Sequence, residues 1–307
     1  MKKKIVVLGS TNIDHIAKVK KLPVPGETVG DGIYSKAFGG KGFNQAVSAT
    51  SAGGNVTFLS SLGGDEDGKR IIFYLQQLGA DTEKVIYKNE SPTGAAFIFV
   101  DDCGENCIVV SPGANKELKV EEVKSLGNVI AEADYLLMQM ELPFDCVEAA
   151  ADIAASNNTF ILLNPAPACK LTNRLISMVD LLVVNETESE IISGKSIGEL
   201  GVEKMAEVLV GMGAKSVIIT LGADGSYLYN GKDNGKFPAY KVNAIDSTGA
   251  GDTFCGVLTA YLADAMDISE AIKFASAAAA LSVQKLGAAP SVPDREEIDM
   301  FVSKYKY

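Results

Sequence analysis

Short runs of β-branched and other apolar residues alternate along the chain with segments in which apolar residues recur every three or four positions. The runs predict buried strands, and the segments predict amphipathic helices. The predicted strands are Ile5–Leu8, Val56–Ser60, Tyr135–Met140, Phe160–Leu163, Leu181–Val184 and Val217–Thr220. The predicted helices are Gln45–Ser51, Lys69–Leu78, Val120–Ala131, Phe144–Ala155, Val202–Met212, Asp252–Ala265, Ser269–Lys285 and Asp294–Lys304. This alternation predicts an α/β fold of three layers, with a mainly parallel central sheet between two layers of helices.

Two stretches interrupt the alternation of strands and helices. Residues 11–40 are rich in Pro and Gly and contain brief alternating pieces such as Glu27–Val29. Residues 94–110 predict two strands, Ala95–Val100 and Cys107–Val110, joined by a hairpin-like turn. We interpret both stretches as a small β-sheet lid that projects from a single domain spanning the whole chain. Such a lid would exclude water from a reaction site.

The composition excludes several classes of partner. The 307 residues include 28 Lys and Arg against 39 Asp and Glu, a formal net charge of −11. No nucleic-acid partner is expected, because binding to a phosphate backbone needs clustered Lys and Arg. Five scattered cysteines and a single histidine predict free thiols in a reducing, cytoplasmic compartment. No apolar run is long enough for a membrane span or a signal peptide, so no membrane partner is expected.

The strongest chemical signal is the segment Ile245–Phe254, with the sequence IDSTGAGDTF. Its glycines permit a tight turn, and the helix that begins there directs backbone N–H groups at the space in front of it. Such a helix N-terminus favours a developing negative charge, as on a phosphoryl group in transfer. Asp252 lies in the first helical turn and could accept a proton from a hydroxyl group. Taken alone, the segment could also be a Gly-rich loop in which Asp252 balances the helix dipole.

Other polar and Gly-rich segments lie after predicted parallel strands or at the start of a helix. They are Gly9–Asp14, Phe38–Gln45, Asn164–Pro167, Asn185–Glu188 and Thr220–Gly225. In open α/β sheets, ligands bind outside the carboxyl ends of the strands. We therefore expect these segments to meet at one ligand-binding edge of the sheet.

Two of these segments carry a resemblance to a known family. The sequence GGKGxN at residues 39–44, followed by TGAGD at residues 248–252, resembles the ribokinase family of carbohydrate and nucleoside kinases. The resemblance extends from about Val6 to the C-terminus and implies a ribokinase-like fold with ATP-dependent sugar kinase activity. Shorter segments, such as LNPAP at residues 163–167 and GAAPSVP at residues 287–293, resemble the members that phosphorylate D-ribose at O5 to give D-ribose 5-phosphate.

The resemblance assigns the groups that would carry the reaction. Asp252 would be the catalytic base, and the backbone N–H groups of Gly249, Ala250 and Gly251 would form an anion hole. The implied sugar-binding residues are Asn12, Asp14, Gly40, Lys41, Asn44, Glu141 and Asp252. Considered one at a time, several of them could instead be turn residues, a solvated charge or the start of a helix.

The resemblance also implies a nucleotide and two kinds of cation. The implied ATP-binding residues are Asn185, Thr220, Leu221, Gly222, Ala223, Asp224, Gly225, Gly251 and Ser276. Glu188 would hold Mg²⁺, in part through water, although Asn185 and Glu188 together also predict a capping box. An activating K⁺ would be bound mostly by backbone carbonyls of Asp246, Thr248, Ser282, Lys285, Gly287 and Ser291.

Several alternatives were weighed against this interpretation. A nicotinamide-dependent oxidoreductase needs a G-x-G-x-x-G turn, which Gly9–Asp14 lacks. A non-catalytic sugar-binding protein could dispense with Asp252 and the anion hole, and both are present. Kinases for 2-deoxyribose, fructose or adenosine stay open.

His15, the only histidine, is interpreted as a partly exposed polar residue because Asp252 already supplies a base. The free edges of the lid predict a homodimer formed through it.

Overall fold

The structure is a computed structural model that describes residues 2–305. Its strands are β1 (Lys4–Leu8), β2 (Asn12–Lys18), β3 (Ile33–Gly39), β4 (Asn55–Leu59), β5 (Ser61–Gly63), β6 (Ile86–Lys88), β7 (Gly94–Val100), β8 (Asn106–Ser111), β9 (Tyr135–Met138), β10 (Phe160–Leu163), β11 (Leu181–Asn185), β12 (Val217–Thr220), β13 (Ser226–Tyr229) and β14 (Gly235–Phe237). Its α-helices are α1 (Lys41–Ser51), α2 (Glu66–Leu78), α3 (Val120–Ser125), α4 (Gly127–Ala131), α5 (Phe144–Ser156), α6 (Asn173–Met178), α7 (Glu186–Ser193), α8 (Ile197–Leu200), α9 (Val202–Gly211), α10 (Ala250–Ala263), α11 (Ile268–Ser282) and α12 (Arg295–Lys304).

The predicted strands form six adjacent strands of an eight-stranded sheet and include its edge strand β4. Its order is β14-β13-β12-β11-β10-β9-β1-β4. All neighbouring pairs from β4 to β12 are parallel, and β13 and β14 continue the sheet antiparallel at one edge. Because strand–helix–strand crossovers place helices on both faces, the central strands are apolar throughout. The mainly parallel sheet predicted from the sequence is confirmed.

Two apolar cores lie on the two faces of this sheet. On one face Val7 and Leu137 pack with buried residues of α1, α10 and α11. On the other face their chain neighbours Leu8 and Leu136 pack with buried residues of α5 and α9. Successive side chains of a strand point to opposite faces, so each strand contributes to both cores. The predicted three-layer α/β/α architecture is confirmed.

Some predicted boundaries were wrong. The helix predicted for Val120–Ala131 is two short helices, α3 and α4, which meet at Leu126 just before Gly127. Glycine has a low helix propensity, which accounts for a break at this position. Glu27–Val29 form no strand and lie in the irregular connection between β2 and β3, where Pro23 and Pro25 each lack a backbone donor.

A second sheet of four strands, here called the lid sheet, stands apart from the central sheet. Its order is β3-β2-β7-β8, with β2 and β7 parallel and the two outer pairs antiparallel. Asp14, Ala37, Ala96 and Val110 are register partners and therefore share one face. His15 points to the opposite face. A separate pair, β5 and β6, is parallel.

None of the helices in residues 2–305 is long and apolar enough to cross a membrane.

Candidate active site

The sugar-side residues predicted from the sequence meet where β1 ends and α1 begins. A Cβ atom on Gly42 would lie 2.4 Å from the Cα atom of Gly9, so the strand end and the helix start approach at a distance that only glycine permits. Gly40 precedes α1 with φ +92°, and a Cβ atom there would lie 2.8 Å from the backbone nitrogen of Asn12. These close contacts place the first turn of α1, with Lys41, beside the start of β2.

Asn12 is buried at the start of β2 and is held by another asparagine. Its Oδ1 accepts a hydrogen bond from Asn115 Nδ2 at 2.9 Å, and Asn115 Oδ1 accepts one from the Thr11 backbone N–H at 2.9 Å. Asn115 lies in a 3₁₀ turn more than 100 residues away in sequence. It was missed by sequence reasoning, because nothing in its local segment indicates that it would reach this site.

Two carboxylates face the same region. Asp14 lies against Gly39, where a Cβ atom would come within 2.3 Å of its Oδ2. Burial, together with the nearby Glu141 charge, raises the pKa of Asp14 to about 6. Glu141 Oε2 accepts hydrogen bonds from Ser10 Oγ at 2.5 Å and from the Lys41 backbone N–H at 3.0 Å. Both carboxylates are thus positioned to accept hydrogen bonds from hydroxyl groups.

The segment singled out at residues 245–254 forms the start of α10. Gly249 precedes the helix in the left-handed conformation, with φ +75°, and a Cβ atom there would lie 2.6 Å from that of Ala288. Asp252 lies buried in the first turn. Its Oδ2 accepts from Asn44 Nδ2 at 3.1 Å, and its Oδ1 accepts from Gln45 Nε2 at 3.0 Å. The predicted base and helix N-terminus are therefore adjacent, as the sequence indicated.

Burial and neighbouring charges set the protonation of this region. Burial raises the pKa of Asp252, although Lys41 and the two amide donors oppose that rise. Burial alone would lower the pKa of Lys41, but Asp252, Glu141 and Glu188 together hold it above its usual value. Lys41 therefore stays a cation between three carboxyl groups.

Three further amide side chains join the site and were absent from the sequence-based list. Gln45, Gln139 and Asn164 are all buried and are hydrogen-bonded to one another. Gln45 follows Asn44 directly in α1, and Gln139 and Asn164 each follow the last residue of a parallel strand. Their position at the carboxyl edge of the sheet was the available signal.

A cavity of about 220 Å³ opens at the carboxyl ends of β10, β11 and β12. The predicted site residues that line it are Lys41, Asn185, Glu188, Thr220, Gly249, Gly251 and Asp252. The lining of this one cavity therefore includes residues predicted for the sugar side, for the nucleotide side and for the anion hole. A cavity is thus present at the edge of the sheet where the sequence predicted a ligand site.

The predicted nucleotide-side residues lie at the ends of β11 and β12. Asn185 Oδ1 accepts from the Glu188 N–H at 2.8 Å, and Glu188 Oε2 accepts from the Asn185 N–H at 2.9 Å, which confirms the capping box. Burial raises the pKa of Glu188. Beyond Thr220, the segment Leu221–Gly225 contains a short 3₁₀ turn at Gly222–Asp224 and leads into β13. Ser276 lies half-buried in α11, apart from the cavity wall.

The residues predicted to bind a monovalent cation lie on two segments that are tied together. Asp246 Oδ1 accepts from the backbone N–H and hydroxyl of Thr248 at 2.9 and 2.6 Å, and its Oδ2 accepts from the Gly287 N–H at 2.8 Å. These donors hold the pKa of Asp246 below its usual value despite partial burial. Ser282 and Ser291 are buried in the second segment. Lys285 also lies there, and its ammonium group is paired with Glu297 at 3.6 Å.

The chain is similar to known carbohydrate kinases. Residues 2–295 match the model of the pfkB family of carbohydrate kinases. The chain is 42% identical to the ribokinase of Haemophilus influenzae over 298 residues, covering 97% of both chains. A crystal structure of ribokinase from Thermotoga maritima superposes with a TM-score of 0.91 at 38% identity, covering 99% of this chain and all of the other. The structure of Arabidopsis thaliana ribokinase complexed with ribose and ATP superposes with a TM-score of 0.91 at 28% identity, covering both chains completely.

Proposed function

Because the chain belongs to the pfkB family of carbohydrate kinases, we propose that it transfers the terminal phosphoryl group of ATP to the O5 hydroxyl of D-ribose. The relatives that support ribose as the substrate are ribokinases along nearly their whole length. Phosphoryl transfer asks a protein mainly for positioning and for stabilisation of charge. The site therefore has to hold a hydroxyl, a proton acceptor and an anion-binding group together.

One observation carries the proposal: Asp252 and the N-terminus of α10 occupy the same helical turn at the cavity wall. Asp252 would accept the proton of the attacking hydroxyl, since its burial raises its proton affinity toward that of a useful base. The backbone N–H groups of Gly249, Ala250 and Gly251 would face the oxygens of the transferring phosphoryl group, and the N–H of Ala250 also donates to the Ser247 carbonyl at 3.2 Å. Both groups act on the same reacting centre without rearrangement of the helix.

The polar groups on the sugar side suit a polyol. Asn44 donates through Nδ2 to Asp252, and its Oδ1 is a buried acceptor with no hydrogen-bond partner among the described residues. Such a buried acceptor costs free energy until a donor reaches it. A sugar hydroxyl would satisfy it, and Asp14 and Glu141 would accept from others. Asn12 and the backbone at Gly40 and Lys41 would complete the contact.

The nucleotide would bind along the ends of β11 and β12, against Asn185, the segment Thr220–Gly225 and, less directly, Ser276. No group of three or more His, Cys, Asp or Glu side chains in residues 2–305 is arranged to hold a metal ion. Glu188 would therefore reach Mg²⁺ as a single carboxylate through water, with the remaining ligands coming from phosphate and solvent. When bound, Mg²⁺ would neutralise charge on the phosphates.

The loop Asp246–Thr248 and the segment Ser282–Ser291 would offer backbone carbonyls to K⁺ beside the anion hole. Their connection through Asp246 and Gly287 supports this proposal, since a cation there would act on the approach to α10. When bound, K⁺ would add positive charge close to the helix N-terminus. A cytoplasmic location stays a prediction from the sequence.

The chain would work as one catalytic domain whose lid sheet, at residues 11–40 and 94–110, covers the sugar. Ile33, Ile108 and Val110 lie exposed on the lid face that also carries Asp14. A second copy of the chain would bury these apolar side chains, so we propose a homodimer formed through the lid sheets.

A coupled assay of ADP release, with ATP, Mg²⁺ and K⁺, tests the function over ribose, 2-deoxyribose, fructose and adenosine. We expect turnover with ribose to exceed that with the other three acceptors. Faster turnover with another acceptor would keep the proposed mechanism and overturn the substrate. Absence of ADP release above the rate without acceptor, for all four compounds, would overturn the kinase function.

A further inference from the structure

The base Asp252 is connected to a chain of three buried amide side chains. Gln45 Nε2 lies 3.0 Å from Asp252 Oδ1 and 3.1 Å from Asn164 Oδ1. Gln139 Nε2 in turn donates to Gln45 Oε1 at 2.6 Å. All three amides are at most 8% exposed. Water therefore contributes little to their orientation, and their mutual hydrogen bonds decide it.

A single backbone carbonyl fixes the direction of the whole chain. Asn164 Nδ2 donates to the carbonyl of Val183 at 3.0 Å, so Asn164 must present Oδ1 to its other neighbour. Gln45 must then turn its N–H₂ group toward Asn164, which also directs that group at Asp252 Oδ1. The Gln45 oxygen is left facing Gln139, which supplies a donor. Reversing any of these amides would place two oxygens or two N–H₂ groups together.

Close packing restricts the side chain of Gln139 and the backbone that carries Gln45. A Cβ atom on Gly9 would lie 2.1 Å from Gln139 Oε1, so Gln139 fills space that exists only because residue 9 is glycine. A Cβ atom on Gly256, in α10, would lie 2.5 Å from the Gln45 carbonyl oxygen. The helices that carry Gln45 and Asp252 are therefore in direct backbone contact.

We propose that Gln45, held in one orientation by Asn164 and Gln139, is a positioning residue that fixes the Asp252 carboxylate for proton transfer; the inference builds on the proposed kinase function. Asn44 binds the other carboxylate oxygen, so the two amides together stop rotation of the carboxyl group. Gln45 also stabilises the ionised form by donating to it, which opposes the effect of burial. Gln45 contacts the base and does not line the cavity.

The test compares Gln45→Met, which keeps the length of the side chain and removes the donor, with Gln139→Met, which reaches Asp252 only through Gln45. For Gln45→Met we expect kcat to fall about 10- to 100-fold, as loss of a hydrogen bond to a charged group does, while KM for ribose changes little. The acidic limb of the profile of kcat against pH should move to higher pH, because a carboxylate that loses a donor binds its proton more tightly. Gln139→Met should also lower kcat and move the acidic limb to higher pH, both by less than Gln45→Met does.

A spectroscopic measurement separates this inference from the proposed activity. The Asp252 carboxyl carbon can be titrated by ¹³C NMR in protein labelled at aspartate, with its signal assigned by its loss in Asp252→Asn. We expect its pKa to rise in Gln45→Met and to rise less in Gln139→Met. Gln76→Met is the matched control, since Gln76 lies on α2 away from the site and donates to Thr82. It should leave the pKa of Asp252 unchanged.

Folded Gln45→Met protein with an unchanged pH profile and an unchanged carboxyl titration would overturn the positioning role. If Gln45→Met does not fold, as judged by circular dichroism, Gln139→Met decides the question alone by the same two readouts. Failure of the wild-type chain to phosphorylate any sugar would overturn the proposed function instead. The NMR titration would still answer whether Gln45 controls the protonation of Asp252.

Discussion

The two sides of the proposed sugar site are built in opposite ways. On the base side, Asp252, Asn44 and Gln45 are buried between α1 and α10, whose backbones touch at Gly256. On the other side, the lid sheet presents apolar residues to solvent on both faces, such as Ile108 and Val109, which are 51% and 59% exposed. Packing thus fixes the base whether or not a ligand is present. The lid sheet lacks such support within one chain.

This difference assigns separate tasks to the two sides. The buried side holds Asp252, the proposed base, and a displacement of even 1 Å would be costly for proton transfer there. The lid side carries Asp14, and we propose that it closes the site against water. His15 illustrates the contrast, because it lies on the lid face opposite Asp14, hydrogen-bonded to Tyr34 at 2.9 Å and stacked on Phe97. Its contacts are with other residues of the lid sheet, and we expect no role for it in the reaction.

The largest expected effect comes from removing the base on the buried side. Asp252→Asn keeps the size of the side chain and removes its ability to accept a proton, so kcat with ribose should fall by about a thousandfold or more. KM should change little, and the unfolding midpoint should not fall, since burial of the charge is itself unfavourable. Steady-state ADP release and thermal unfolding measure both. The control is Asp233→Asn at an exposed loop position, and a comparable loss of kcat there would contradict the assignment.

The second effect tests whether the lid obtains its support from another copy of the chain. Ile108→Lys places an ammonium group on the lid face that carries Asp14, where burial in a dimer would cost about 3 kcal/mol or more per unpaired charge. We expect light scattering to show monomers, and we expect a higher KM for ribose. The proposed base and anion-binding groups at the start of α10 should be unaffected. Val109→Lys, on the opposite face, is the matched control and should stay dimeric. Dimers of Ile108→Lys at micromolar concentration would rule out this face as the interface.

The sequence was most informative where a local signal and a structural rule coincided. The strands β1, β9, β10, β11 and β12 are continuous apolar runs, and parallel sheets require them to be so. The TGAGD segment predicted both the start of α10 and the place of Asp252 in its first turn. The capping box was likewise predictable, because Glu188 follows Asn185 by three residues.

The sequence was least informative where contacts span long distances in the chain. Asn115 reaches Thr11 across 104 residues, and nothing near Asn115 indicates that partner. The strand β2 was not predicted as a separate element, because polar and apolar residues alternate only from Asn12 to Asp14 and His15 then breaks the pattern. Gln139 and Asn164 occupy predictable positions at strand ends, but their joint action on Gln45 depends on packing that no single segment encodes.

A third prediction measures how tightly the buried side is packed. A methyl group on Gly256 would meet the Gln45 carbonyl at 2.5 Å and the Ser48 Cβ at 2.6 Å, so Gly256→Ala must push α10 away from α1. We expect a loss of about 1–3 kcal/mol in the free energy of unfolding by urea, together with reduced kcat. Gly211→Ala is the matched control, because that helical glycine in α9 has open space around its Cβ position. The Gly211→Ala variant should gain about 0.5–1 kcal/mol in the free energy of unfolding. If Gly256→Ala changed the free energy of unfolding by the same amount, α1 and α10 could separate without cost.

The smallest effect concerns Asp14, the charged group on the lid side. Its folded-state pKa of about 6 lies above the unfolded value of 3.8, so the folded protein binds the proton more tightly and loses stability as pH rises between those values. Asp14→Asn removes this loss. The variant should therefore be more stable than wild type by about 1 kcal/mol above about pH 7, after allowance for partial exposure, and equal to it below about pH 3.5. Its KM for ribose should rise at neutral pH, and wild type should show the same rise as pH falls through about 6. If urea titrations gave Asp14→Asn lower stability than wild type at neutral pH, the Asp14 carboxylate would be held by the lid as firmly as Asp252 is held by α1, and the two sides would not differ.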